Sequence, residues 1–159
     1  MLKLSKKVDY GLMSLMHLAQ SARRSSWSAR EIAENYRIPL ELLAKILQKL
    51  VQKGLLVSHP GTHGGYSLSR PAAHITAAEV IEAIEGPLFL TNCVSDDGLC
   101  GQFEKCNLKS PLQRLNDIVV QTFRNLTIEE MSQQQSMHLT ARLVAEPQLV
   151  SISGIQQDV

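Results

Sequence analysis

"WSAREIAENYRIPLELLAKILQKLVQKGLLVSHPGTHGGYSL", residues 27–68, carries the punctuation of two short helices and a hairpin. Ser28 and Glu31 have the spacing of a capping box: the serine accepts from the Glu31 N–H while the glutamate reaches back, which predicts a helix start near residue 28. "YRIP" interrupts that helix, Pro39 stands at or near the first position of the next, and Gly54 ends it. "LLVSH" and "YSLSR" then alternate around the turn "PGTHGG", the pattern of a two-stranded hairpin. Helix, tight turn, helix and glycine-tipped hairpin in that order predict a winged helix-turn-helix.

The flanks extend this unit. Upstream, Val8, Leu12, Leu15, Met16 and Ala19 recur at helical spacing from Ser5 to about residue 22. Asp9 and His17 interrupt what would otherwise be an apolar run, so the amino-terminal stretch reads as an amphipathic helix rather than a signal peptide. Downstream, "TAAEVIEAIEG" repeats the capping pattern with Thr76 and Glu79 and stops at Gly86. After a polar loop, Ser110 and Pro111 read as an N-cap and first-turn pair opening a helix of about 16 residues. Its stripe of Leu112, Leu115, Val119, Phe123 and Leu126 lies outside the winged unit and needs a cover, for which a second protomer is the natural candidate. "TIEEM" adds a last short turn, and a Gln/Ser-rich, then irregularly apolar tail follows.

The fold class expected is therefore mainly α: a winged helix-turn-helix with a small β-hairpin wing, plus a long C-terminal dimerisation helix. The expected organisation is a DNA-binding region at 1–72, a helix and three-cysteine loop at 73–109, a dimerisation helix at 110–131 and a tail at 132–159. No run of about 18 apolar residues occurs, so no membrane span is expected.

A net charge of +1 conceals an asymmetry. Residues 1–70 hold eleven Lys/Arg against four Asp/Glu, whereas residues 71–159 hold five against eleven. A basic first half fits an anionic partner, although a solvated basic surface would show the same count; the helix-turn-helix context favours double-stranded DNA. In such a motif the second helix enters the major groove. Glu41, Ala44, Lys45 and Gln48 are its outward candidates, with Pro39 at or near its start and Lys49 a further cation along it. Ser28 and Arg30 suit a phosphate at a helix amino terminus. His59, Thr62, His63, Gly64 and Gly65 form the candidate wing tip, though an ordinary hairpin turn would use the glycines equally. Trp27 reads as core or domain-edge packing, since single-strand binders need several exposed aromatics and only 4% of this chain is aromatic.

All three cysteines fall within "CVSDDGLCGQFEKC", residues 93–106. Gaps of six and five residues are wider than a zinc knuckle uses, and an odd count without an export signal fits a reducing cytosol better than a disulfide framework. Such spacing suits a loop wrapped around an iron–sulfur cluster. Asp96, Asp97 and Glu104 disfavour free thiolates, which argues against a simple redox cysteine. Buried structural thiols are the plainer alternative. Three sulfurs leave a cluster one ligand short; Asp9 is the first choice, ahead of Asn107, Glu104 and His63, while a helix-terminal charge is the ordinary role for Asp9.

Together with "LSKKVDYGLMSLMHLA" (4–19) and "ITAAEVIEAIEG" (75–86), these segments resemble the IscR/NsrR type of winged-helix transcriptional regulator, the Rrf family, over residues 1–131. Within it the chain looks most like regulators of iron–sulfur cluster assembly operons. The resemblance implies a homodimer crossed through the long helix, a partly palindromic operator, and a 2Fe-2S cluster, with 4Fe-4S as the alternative, on Cys93, Cys100 and Cys106. In the assembly regulators a histidine three positions after the last cysteine completes the site; here that position is Lys109. In nitric-oxide-sensing relatives a first-helix aspartate does so, matching Asp9. The function expected is thus a cytoplasmic, cluster-dependent transcriptional regulator, most simply a repressor. A thiol- or metal-binding redox protein without sequence-specific DNA binding, and a nitric-oxide sensor of the same family, are the rival readings. A cysteine enzyme is disfavoured, because no His/Asp arrangement accompanies the thiols and no phosphate-binding glycine loop occurs.

Overall fold

The computed structural model describes residues 4–21, 24–61, 64–90 and 105–133. Cys93, Cys100, Glu104, Thr62 and His63 lie outside the described residues, as does the tail from residue 134. Helix α1 spans Lys6–Gln20, α2 Ala29–Tyr36 and α3 Leu40–Gln52; strands β1 (Leu56–His59) and β2 (Gly65–Leu68) follow, then a 3-10 turn at Ala72–His74, α4 at Ala77–Glu85 and α5 at Lys109–Asn125. The strands pair antiparallel, with Leu56 opposite Leu68 and His59 opposite Gly65.

The helix starts follow local chemistry. Ser5 caps α1 through the Val8 N–H, and both expected capping boxes close, Ser28 with Glu31 and Thr76 with Glu79. Arg37 ends α2 in the left-handed region at φ 54°, and Ile38 tucks under it with its N–H donating to Ala33. That pairing turns the chain into α3 within three residues. The start of α5 differs from the Ser110–Pro111 expectation: the helix begins at Lys109 after Leu108, with no side-chain cap. Pro111 fits there because the first turn of a helix has no intrahelical use for its N–H groups.

The core lies where α1, α3 and α4 meet. Val8 and Leu15 of α1, Leu43, Leu47 and Leu50 of α3, and Val80 and Ile81 of α4 are almost wholly buried. Gly11 lets α1 and α4 approach closely, since a Cβ on it would collide with Ile84 Cδ1. The wing is rooted on this body by a bridge between Trp27 and Tyr66, with paired N–H to carbonyl bonds of 3.0 and 2.8 Å. Trp27 is partly buried against the core, the packing role its isolation suggested.

After α5 the chain does not run on as one helix. Leu126 is extended, Ala77 donates to its carbonyl, and Ile128 donates to Ile75. A last helical turn at 128–133 follows, opened by a capping box between Thr127 and Glu130. Ile128 is completely buried, so this turn closes the core beneath α4. No helix among the described residues is long and apolar enough to cross a membrane.

Candidate nucleic-acid interface and thiol segment

The amphipathic second helix of the motif, α3, sends Leu43, Ile46, Leu47 and Leu50 inward, so its other face is left to solvent. On that face Glu41, Lys45, Gln48 and Lys49 are exposed, Ala44 is half-buried, and Pro39 is exposed at the helix entrance. Arg30, in the first turn of α2, is also exposed. These residues form an accessible surface with the polarity a major groove requires, hydrogen-bonding groups with cations beside them.

Several individual roles are narrower than side-chain type implies. The Ser28 hydroxyl donates to Glu31 Oε2 at 2.7 Å and accepts from the Glu31 N–H, so its first duty is to cap α2. Glu31 is held ionised down to about 2, from an ordinary 4.5, chiefly by the backbone and side-chain hydrogen bonds from Ser28, with Arg24 adding an ion pair at 2.8 Å. Lys49 donates to the Ile84 carbonyl at 2.8 Å, which ties this cation to the end of α4.

In the wing, His59 shares a 2.8 Å hydrogen bond with Ser67 across the strand pair. Gly64 and Gly65 are explained by crowding: a Cβ on Gly64 would meet the His59 carbonyl, and one on Gly65 the Trp27 carbonyl. Both glycines therefore build the wing, whatever else they touch.

Behind the wing, His17 packs edge-on against Trp27 and Tyr36, with Nδ1 3.2 Å from the tyrosine hydroxyl. Burial lowers its pKa, opposed in part by the charge of Glu31. The imidazole is thus favoured neutral, as a packing element linking α1 to α2 and the wing root. Arg24 lies over the Trp27 ring at 4.5 Å.

The thiol segment is described only at its end. Cys106 carries a free, half-buried thiol three residues ahead of α5. Asp9 is exposed in the first turn of α1, and Asn107 is exposed beside Cys106. Among the described residues no group of three or more His, Cys, Asp or Glu side chains converges as a metal site. The stripe on α5 divides in two. Phe123 and Leu126 pack on the intramolecular core, and Leu112 and Val119 are half-buried. Leu115 and Ile118 remain 49% and 56% exposed, next to Leu108 at 57%.

A helix-turn-helix with its wing rooted on Trp27, joined to a helix with a bare apolar face, is an architecture that recurs in known proteins. The family model for Rrf2, described as an iron-dependent transcriptional regulator, matches residues 4–134. The chain belongs to the Rrf2 family. As an Rrf2 protein it is a DNA-binding transcriptional regulator and not an enzyme. It is 26% identical over 159 residues to protein aau3 of Rhizobium meliloti (strain 1021), covering 99% of this chain and 96% of the relative. The solved structure of CymR (YrzC), the global cysteine regulator of B. subtilis, superposes with a TM-score of 0.70 at 28% identity, covering 84% of this chain and 98% of that one. IscR of T. potens shares the fold, with a TM-score of 0.68 at 24% identity over 86% of this chain and 90% of its own.

The expected core and dimer stripe omit three residues of this Rrf2 chain. Ile118 shares the bare face of α5 with Leu115; its position, three residues after Leu115, was a legible signal. Ile128, in the short turn after α5, is a core residue. Asn116, a polar residue on a surface helix, is only 6% exposed and accepts from the Leu90 N–H at 3.0 Å. Nothing in its sequence neighbourhood signals that burial.

Proposed function

We propose that this Rrf2 regulator acts as a cytoplasmic homodimer on a partly palindromic operator, with affinity set by an iron–sulfur cluster and with cluster-assembly genes as its targets. Cys93, Cys100 and Cys106 would hold the cluster, 2Fe-2S in preference to 4Fe-4S, and Asp9 from the second protomer would complete it. The observation that carries this reading is the placement of Cys106. A free, half-buried thiol stands at the entrance to the helix with the bare apolar face, and the only other two thiols of the chain precede it by six and thirteen residues.

The donor chemistry fits: three thiols suit iron–sulfur ligation, and an exposed carboxylate is accessible to a second chain. When bound, the cluster supplies a link between these thiolates that oxidation removes. Leu108, Leu115 and Ile118 bury their apolar surface against the same face of a second protomer, an isologous seam. That seam sets the spacing of the two α3 helices, so a small change at the foot of α5 alters contacts at both half-sites. A coupling of about 1–3 kcal/mol changes operator affinity roughly 5- to 150-fold.

Anaerobically purified protein is expected to show charge-transfer absorption and an iron–sulfur Mössbauer spectrum, and its operator affinity at fixed salt is expected to change when iron is removed. Colourless, iron-free protein would end this reading. A second reading, favoured by the free, half-buried Cys106 thiol, is direct thiol control without metal. It predicts that oxidants of Cys106 alter operator binding in iron-free protein.

A further inference from the structure

Lys49 stands on the DNA-reading helix, yet its ammonium is hydrogen-bonded to the protein rather than left free. Its acceptor, the Ile84 carbonyl, belongs to the last turn of α4, where carbonyls lack helical partners and the helix dipole favours a cation. Ile84 is itself held fast. Its side chain is buried in the notch over Gly11, beside Ile46 of α3. The Lys49 bond therefore fixes α3 against a point that α1 and α4 already define.

Beyond Ile84 the chain leaves α4 at Gly86 and reaches Leu90, whose N–H donates to Asn116. Asn116 is the one buried residue of α5. Residues 84–90 thus form a strap with two side-chain anchors, Lys49 from the DNA-reading helix and Asn116 from the helix with the bare face. In sequence, Cys93 lies three residues past Leu90, the residue that Asn116 holds.

We infer that Lys49 and Asn116 are positioning residues: the strap between them transmits the state of the cysteine segment to the placement of α3, and Lys49 is not a phosphate contact. The coupling half of this inference rests on the function proposed above; the role of Lys49 in placing α3 does not.

The probe is a duplex selected from a random pool by the wild-type protein, compared with a scrambled duplex of equal composition. Lys49→Met keeps the apolar stem and removes the donor. For a phosphate contact, its log–log salt slope falls by about 1 and both duplexes are weakened alike; that result overturns the assignment. Expected instead is weaker binding of the selected duplex only, with the slope unchanged, and recovery in Lys49→Arg.

Coupling is read by a double-mutant cycle with Cys106→Ala in anaerobically purified protein. In the wild-type background Cys106→Ala is expected to change affinity for the selected duplex about 5- to 150-fold. With Lys49→Met, or with the near-isosteric Asn116→Leu, that change is expected to shrink to within about twofold, since the strap has lost an anchor. A Cys106 effect that persists at full size in both backgrounds overturns the strap. A Cys106 effect absent from wild type overturns the coupling and the cluster reading together, and leaves the salt slope to decide Lys49. Equal unfolding midpoints for the strap variants and wild type separate positioning from loss of fold.

Discussion

Gly65 and Trp27 are in backbone contact: the Tyr66 bridge draws them together so closely that a Cβ on Gly65 would collide with the Trp27 carbonyl oxygen. The neighbour is main chain in a paired bridge, so it cannot swing aside as a side-chain tip would. Gly65→Ala is expected to cost about 1–3 kcal/mol and to weaken operator binding by loosening the wing. Gly54→Ala provides the contrast, because Gly54 has φ 73° with nothing near its Cβ position. It is expected to lose about 1–2 kcal/mol through backbone strain alone, with operator binding kept. Denaturant unfolding and operator titration of both variants check the pair.

Acid sensitivity should concentrate at the start of α2. The Glu31 carboxyl is lowered from 4.5 to about 2 by Ser28 and Arg24, so the folded state binds its proton less readily than the unfolded chain does. Its stabilising contribution is fully present above about pH 4.5 and is lost as pH falls towards 2. Glu31→Gln is expected to flatten the unfolding free energy over that interval and leave its slope unchanged near neutrality. Ser28→Ala, which removes the cap itself, is expected to cost about 1 kcal/mol at neutral pH. An unfolding series from pH 7 to pH 2 distinguishes the two.

The bare face of α5 is expected to hold the dimer. Leu115→Glu and Ile118→Glu each place a charge where apolar surface is proposed to be buried, while neither residue belongs to the intramolecular core. Each is expected to shift the protein to monomer in sedimentation velocity, with helical content and monomer fold retained. Phe123→Ala is expected to behave differently, lowering stability through loss of contacts on its own core.

Lys45 is the cation on α3 expected to meet phosphate, being exposed on the face opposite the buried leucines. Lys45→Ala should weaken binding to all duplexes nearly uniformly and reduce the salt slope by about 1. Its unfolding free energy is expected to stay within about 0.5 kcal/mol of wild type, as for ordinary surface positions.

Much of this molecule is legible in its sequence. Ser28 with Glu31, Thr76 with Glu79, and Gly54 mark element ends by chemistry that acts within four residues, and the structure places those ends as read. Ser110 misled because a serine followed by a proline fits both a cap and a first turn, and only the Leu112 N–H donating to Leu108 decides between them. The basic first half and the order of elements pointed to DNA without help from packing.

The amino-acid sequence by itself determined the elements, their order and the outward polarity of α3, because capping, periodicity and turn preference are local forces. Only the tertiary structure decided what particular side chains do. Lys49 reads as one more cation along α3 until α4 places the Ile84 carbonyl against it, and Asn116 looks like a surface residue until Leu90 folds back onto it. Such partners are 35 and 26 positions away in the chain, and no local pattern records which distant backbone group will arrive with an unmet hydrogen bond.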